Sequence, residues 1–191
     1  QIVHGMVEFI DRYEAFAEYL TEKGFLVVGH DHLGHGDSVV TKEDWGYMAD
    51  KSGGVCMIRD IHRVRAATQR QNEGMPYFIL GHSMGSYLLR RYLTRYGSGL
   101  SGAVIMGTGY APAEKAGLAL GMIRVAAALK GWRFRCPLME KAVFSGPFRE
   151  FSLDGTVAEN SWLTRDVSQV RTYYADPRCT FHFTLSGFYA L

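Results

Sequence analysis

The sequence predicts an α/β fold, with a parallel sheet and crossover helices over residues 1–111 and a mainly helical segment over residues 112–191. Three observations carry that reading. Short apolar β runs alternate with amphipathic helical stretches up to Ala111, the pattern of parallel strands joined by helices. A glycine–serine–glycine pentapeptide sits where one of those runs meets a helix. Beyond Ala111 the alternation stops and helical patterns take over.

The elements follow in chain order. Ile2-Val3 reads as the end of a strand. Asp11-Arg12-Tyr13-Glu14 has the spacing of a capping box, in which an N-cap carboxylate accepts a backbone N–H and the acid three residues on reaches back. The helix it opens places Phe16, Tyr19 and Leu20 on one predicted buried face and ends at Gly24. Phe25–Gly29 is an apolar β run, and Asp31–Ser38 a polar turn-rich segment. A second helix is predicted from Gly54 to Asn72. Val55, Ile58, Ile61 and Val64 would form its buried stripe, with charges on the other face, and Gly74-Met75-Pro76 would end it. Tyr77–Leu80, Ser83–Tyr96 and Ala103–Met106 then read as strand, helix and strand.

In 112–191, Gly117–Leu129 is an apolar helical stretch, and Asp166–Ala175 a second helix. Asp166 is its expected cap, Gln169 the reciprocal partner, and Asp176-Pro177 the stop. Trp132, Phe134, Phe144, Phe148 and Phe151 are expected to build a core for this segment, with one or two of them turned toward a substrate. Phe181–Leu185 has the composition of a short strand.

Bulk properties narrow the function classes. A chain of 191 residues can bury roughly 70% of its unfolded surface around one core. Its 21 basic and 19 acidic residues leave a net charge of +2, which excludes the lopsided basic footprint of a nucleic-acid binder. Cys56, Cys136 and Cys179 are an odd set at wide spacing, fitting neither a disulfide framework nor a metal site. They are expected to be reduced thiols in a cytoplasmic protein. Gly117–Leu129 is interrupted by Arg124 and falls short of the ~20 residues that cross a bilayer. The chain starts on Gln1-Ile2-Val3 without a leader pattern and stops in the apolar run Phe188-Tyr189-Ala190-Leu191. Both ends are expected to be cuts in a longer sequence.

The chemistry lies in Gly81-His82-Ser83-Met84-Gly85. A serine hydroxyl is a weak nucleophile, so it must be exposed on a sharp turn, near a base and beside donors that hold an oxyanion. A Gly-x-Ser-x-Gly turn between strand and helix provides that exposure, with the flanking glycines allowing close backbone approach. The candidate nucleophile is Ser83. Its candidate oxyanion donors are the N–H of Met84 and, from the loop after the first strand, the N–H of Met6 in His4-Gly5-Met6. Gly81, His82 and Gly85 complete the elbow. His30, His32 and His35 with Asp31 and Asp37 also invite a metal reading; the preferred reading is a structural turn tightened by Gly34 and Gly36, with no metal.

Taken together, His4-Gly5-Met6-Val7-Glu8, Asp11-Arg12-Tyr13, His30-Asp31-His32-Leu33-Gly34-His35-Gly36-Asp37-Ser38 and Gly81-His82-Ser83-Met84-Gly85 resemble the monoacylglycerol lipase and lysophospholipase family. The resemblance runs from Gln1 to about Gly109 and is only architectural beyond. It implies an α/β-hydrolase core, a helical cap over an acyl pocket, no cofactor, and a Ser-Asp-His triad. The acid and base follow the serine in that architecture, and His182 is the one histidine after Ser83. It lies too close to Asp176 for that layout and is read as a structural histidine, so the triad acid, the base and the last strands are expected beyond Leu191.

The expected activity is hydrolysis of a lipid-like ester, such as a monoacylglycerol or lysophospholipid, through an acyl-enzyme on Ser83. The alternatives are a proline iminopeptidase-like peptidase of the same fold, or a non-catalytic binding protein. Seven Lys or Arg against three Glu between Ala113 and Glu150 leave room for transient membrane-surface contact through the cap, or simply make a solvated surface.

Overall fold

The computed structural model of the protein describes residues 1–137, 139 and 148–191. Its centre is a parallel sheet in the order β1 (Ile2–Val3), β2 (Phe78–His82), β3 (Gly102–Met106). The register sets Leu80 between Ile2 and Val104, and Gly81 between Val3 and Ile105. Parallel neighbours need crossovers. These are α1 (Glu14–Glu22) and α2 (Gly53–Gln71) before β2, and α3 (Met84–Tyr96) after it, close to the predicted boundaries.

Two local expectations near the start are corrected. The 25–29 run does not form a strand: only Gly29 bridges to Ile2, and Ile2 N–H donates to the Val28 carbonyl at 2.9 Å. β1 is two residues long, so it offers no ladder for residues 25–27. Asp11 is not an N-cap. The chain enters α1 through a 3-10 turn, Ile10–Tyr13, and the Ile10 N–H is taken at 2.8 Å by Asp31 Oδ1 from a loop 21 residues away. Nor does α1 bury its apolar face, for Phe16 and Tyr19 are 40% and 54% exposed. Phe16 and Leu20 line an open groove of about 570 Å³ with Phe25, Phe78, Leu80 and Val104, so the core forms on the other face of the sheet.

That core joins Val3 and Ile79 to Met57, Ile58 and Ile61 of α2, Leu88, Leu89 and Tyr92 of α3, and Phe181 and Phe183 from the end of the chain. The α2 stripe differs from expectation: Met57, Ile58, Ile61 and Arg65 are buried, while Val55 and Val64 are only partly so. Strict every-third spacing drifts by about 60° per step on a helix of 3.6 residues per turn, so it leaves the buried face within two steps. Arg65 also breaks the rule that charges line the outside. Its guanidinium donates to the carbonyls of Tyr96 at 2.8 Å and Ser98 at 2.9 Å, and its Nε to Gln69 Oε1 at 2.9 Å, the pairing that a buried charge requires.

After β3 come α4 (Ala113–Lys130), α5 (Val167–Ala175) and α6 (Leu185–Ala190). Asp166 caps α5 as predicted, accepting from the N–H groups of Ser168 and Gln169, but its own N–H goes to Thr164 Oγ1 at 3.3 Å and not to the expected Gln169 side chain. α5 ends at Ala175, with Asp176 as its C-cap. The 181–185 run is no strand. Thr184 makes a single bridge to Arg135 and caps α6 by accepting the Gly187 N–H at 3.3 Å. Phe181 and Phe183 turn inward against the His35 ring, each 5.4 Å away. Of the aromatic set, Trp132 packs on Tyr189 at 5.2 Å and Phe148 on Trp162 at 5.4 Å. Phe134 and Phe151 are exposed and make no core, and Phe144 lies outside the described residues. Polar ties join this segment to the 43–48 loop. Arg135 donates to the carbonyls of Glu43 at 2.9 Å and Trp45 at 2.8 Å, and Thr184 Oγ1 to the Gly46 carbonyl at 2.7 Å.

The turn after residue 29 is a stack of imidazoles. His4 lies 4.2 Å from His32 and 5.3 Å from His35, ring centre to ring centre, and His30 5.1 Å from His32. His4 donates through Nδ1 to the Gly5 carbonyl at 2.8 Å and accepts the His32 N–H at Nε2, 3.0 Å away, which fixes a neutral tautomer. Burial lowers the pKa of all four rings below the ordinary 6.5, His35 to about 3. At His4, Glu8 and Asp31 pull against that shift and Arg12 adds to it; at His35, Glu8 alone of the three opposes it; neither shift is overturned. The unfolded chain therefore binds more protons than the folded one at acid pH. The stability held above pH 6.5 is lost as pH falls from there toward 3. Each ring contributes up to about 1.4 kcal/mol per pH unit inside its own window. Urea unfolding at pH 7.5 and pH 5 is expected to give a markedly lower midpoint at pH 5, and His35→Phe should flatten that dependence.

Candidate active site

Ser83 follows β2 directly and is the N-cap of α3, with φ 51 and ψ −118. Positive φ at a non-glycine residue costs about 1–3 kcal/mol and persists only where neighbours enforce it. Here the Ser83 N–H donates to the Met106 carbonyl at 2.9 Å, and its own carbonyl accepts Ser86 Oγ at 2.6 Å and Ser86 N–H at 2.9 Å. The glycines on either side permit the crossing. A Cβ at Gly81 would lie 2.5 Å from the Gly85 carbonyl oxygen, and one at Gly85 would meet the Val3 carbonyl and lie 2.6 Å from that of His4. Strand, elbow and helix thus pack backbone to backbone against β1.

That contact brings the His4-Gly5-Met6 segment over the elbow, where a Cβ on Gly5 would lie 3.2 Å from Ser83 Cβ. Met6 and Ser83 line one cavity of about 390 Å³, together with Glu8, Arg12, Tyr13, His82, Trp162 and Tyr173. Met84 is the first residue of α3, so its N–H has no intrahelical acceptor and the positive end of the helix lies at Ser83. The five predicted elbow residues and Met6 are therefore gathered at one place.

Glu8 organises the surroundings. Its buried carboxylate accepts the Gly5 N–H, the Tyr13 hydroxyl at 2.8 Å and the Arg12 guanidinium at 2.6 Å, and lies 3.3 Å from His82 Nδ1. Tyr13 has one hydroxyl proton, spent on Glu8, so the 2.8 Å contact between its oxygen and His82 Nδ1 makes His82 the donor. Burial works against the Glu8 charge, but the His82 bond, the Arg12 guanidinium and the Tyr13 bond outweigh it and hold the pKa below the usual carboxylate value. Burial and the adjacent Glu8 charge push the Tyr13 phenol well above its ordinary value, keeping it a donor. Among the described residues Ser83 Oγ makes no hydrogen bond, and Glu8 and His82 are occupied with each other. His182 lines a neighbouring cavity of about 730 Å³, which shares Met6, Trp162 and Tyr173 with the first. The 30–37 histidines and aspartates serve the stacked turn, and among the described residues no three His, Cys, Asp or Glu side chains are placed to hold a metal ion.

The roles of Glu8, Arg12, Tyr13 and Tyr173 escaped residue-level reading. The i, i+4 spacing of Glu8 and Arg12 is the signal that could have paired them, but nothing in it places the pair beside the elbow. For Tyr173 the chain holds no signal, because its hydroxyl meets the Val7 carbonyl across 166 residues.

A strand–elbow–helix nucleophile turn on a parallel sheet defines the α/β-hydrolase fold. The profile of the Hydrolase_4 family, described as serine aminopeptidase, S33, matches residues 1–191, and the chain belongs to that family. It is 39% identical over 85 residues to a monoglyceride lipase homolog of Monkeypox virus, a match spanning 44% of this chain and 29% of the viral protein. It is 27% identical over 176 residues to a monoacylglycerol lipase of Mycolicibacterium smegmatis, covering 92% of this chain and 54% of the relative. The fold superimposes on a thermostable carboxyl esterase from Bacillus coagulans, solved with glycerol, with a TM-score of 0.84 and 27% identity, over 100% of this chain and 61% of that one. The chain thus spans about half the length, or less, of the curated relatives it matches.

The crossing predicts its own sensitivity. Gly85→Ala is expected to cost about 1–3 kcal/mol by forcing α3 off β1, read as a lower urea midpoint, whereas exposed Gly117→Ala on α4, whose Cβ meets nothing within 4 Å, should be neutral or slightly stabilising.

Proposed function

We propose that the protein is a serine esterase that cleaves lipid-like carboxylic esters, monoacylglycerols or lysophospholipids, through an acyl-enzyme on Ser83. The observation that carries this reading is the strained Ser83 at the head of α3, with the Gly5-Met6 backbone directly over it. Ser83 Oγ attacks the ester carbonyl, and the N–H groups of Met6 and Met84 take the charge that develops on its oxygen. The intermediate collapses by breaking the bond to the alcohol, which leaves with a proton from the base while the acyl group stays on Ser83. A water then attacks that ester, restores the Ser83 hydroxyl and releases the acid. Proton transfer needs a histidine oriented by a carboxylate, both of which follow the nucleophile in chain order in this architecture. In this reading α4 and α5 belong to a cap, Trp162 and Tyr173 line both cavities, and the larger of these would take the acyl chain. The lipase relatives and the glycerol-bound esterase neighbour support a glycerol ester as substrate. A fluorophosphonate probe should label the complete protein, with the downstream acid and base, at Ser83 and fail to label its Ser83→Ala variant; a labelled Ser83→Ala protein, or an unlabelled complete wild type that is folded, sinks the assignment.

A peptidase of the same fold is the second reading, favoured by the serine aminopeptidase description of the family. Such an enzyme needs a free carboxylate for the substrate amine, yet Glu8 in this cavity already holds three donors and His82. Turnover of p-nitrophenyl butyrate and 1-monoacylglycerol is expected to exceed that of aminoacyl anilides by at least about 100-fold, the scale on which a site with unmatched polar groups discriminates.

We also propose that the cap touches lipid surfaces through α4. Leu118, Met122, Val125 and Leu129 are exposed along one side of this helix, Leu129 by 78%, with Lys115, Arg124, Lys130 and Arg133 nearby in sequence. No helix among the described residues is long and apolar enough to cross a membrane. α4 is apolar on both faces, one packed on Leu185 of α6 through Ile123 and Ala127 and the other exposed, and exposed apolar surface of this kind, with basic residues beside it, suits an interface. Co-sedimentation with vesicles containing anionic lipid should fall several-fold in Met122→Glu/Val125→Glu, with hydrolysis of a water-soluble ester unchanged.

A further inference from the structure

We infer that Tyr173 is a positioning residue for the oxyanion donor: its hydroxyl tethers the Val7 carbonyl and so holds the Met6 N–H in place over Ser83. The inference rests on the reading of Ser83 as nucleophile and Met6 as oxyanion donor. It assigns to helix α5 a control over the chemistry that lies outside that reading.

Three observations converge on the segment 5–8. The Tyr173 hydroxyl donates to the Val7 carbonyl at 2.8 Å. Val7 sits at φ 54, one of three non-glycine residues at positive φ among those described. A β-branched side chain is among the poorest occupants of that region, so Val7 stays there only where its surroundings over-determine it. On the other side of Met6, the Gly5 N–H is held by the Glu8 carboxylate. The Gly5–Met6 peptide is therefore clamped between two tethers, one from its own segment and one from a helix 166 residues away. Without the second, Val7 is free to relax to negative φ, which turns the backbone on which the Met6 N–H is aimed.

Tyr173 is itself held firmly. It is buried with Phe9 and Cys179, and its ring lies 5.1 Å from that of Tyr174 and 4.7 Å beneath the Arg12 guanidinium. Arg12 is in turn bonded to Glu8 at 2.6 Å. The two tethers are thus linked through one arginine, and a displacement of α5 moves both. Because the Tyr173 ring also lines the cavity with Ser83, a substrate that shifts α5 would alter the oxyanion site as well.

The test is Tyr173→Phe in the complete protein, which keeps the ring, its packing and the Arg12 contact and removes only the hydroxyl. The kcat for p-nitrophenyl butyrate should fall about tenfold, the weight of one positioning hydrogen bond, with KM within about twofold. Amide hydrogen exchange in residues 5–8 should quicken, while exchange in α2 and α3 stays unchanged. With Val7→Gly already in place, the same Tyr173→Phe change should cost less than about threefold, because glycine holds positive φ without strain. Unchanged exchange in residues 5–8 overturns the tether. A rise in KM with kcat intact makes Tyr173 a substrate contact instead, and an equal loss in the Val7→Gly background removes the strain argument. If the folded wild type turns over no ester, the assignment of Ser83 falls, and the exchange measurement still decides the tether.

Discussion

The close crossing of β1, β2 and α3 at two glycines is the constraint from which the rest of the structure follows. Helix α3 starts one residue after Ser83 and passes so near the Val3 and His4 carbonyls that no side chain fits at Gly85. This proximity turns Ser83 out of the sheet at φ 51, a conformation with a cost of its own. It also carries β1 far enough under the elbow that the next three residues arrive over the serine. The strained turn at Ser83 and the 4–6 segment lying over it are thus consequences of a single backbone contact.

Around that crossing, charge is arranged to be internally complete. Glu8 is buried and ionised because the Gly5 N–H, Tyr13, Arg12 and His82 surround it, and removal from water is tolerable for a carboxylate only in such company. The imidazole stack behind it follows the opposite rule. Those rings are buried as neutral groups, held by packing and a few backbone bonds, and their aversion to protonation couples this side of the sheet to acidity. One carboxylate kept charged and four histidines kept neutral stand side by side: Glu8 is ringed by donors, whereas ring nitrogens of His30, His32 and His35 are buried without a hydrogen-bond partner among the described residues, where a charge could not be matched.

The two faces of the sheet differ. One is closed by α2, α3 and the inward-turned Phe181 and Phe183, and the other is the open apolar groove beside Phe16, Phe25 and Phe78. Sequence reasoning gave Phe16 and Tyr19 a buried role from periodicity alone, and periodicity reports which residues share a side of a helix, not whether that side is covered. The same distinction explains Phe134 and Phe151, apolar by type yet left exposed.

What the sequence determined by itself is the part governed by local chemistry. Periodicity and turn residues placed α2, α3, β2 and β3 within a residue or two, Asp166 announced the start of α5, and the Gly-x-Ser-x-Gly turn located Ser83, since backbone strain and glycine spacing are written into neighbouring residues. Tertiary structure alone decided what depends on distant partners. Asp31 rather than Asp11 caps the entry to α1, Arg65 turns inward because carbonyls of residues 96 and 98 await it, and Phe181 and Phe183 become core instead of strand. Tyr173 reaches Val7 for the same reason. A hydrogen bond or a packed ring between residues far apart in the chain leaves no periodic trace along it, and only the folded backbone brings its two ends together.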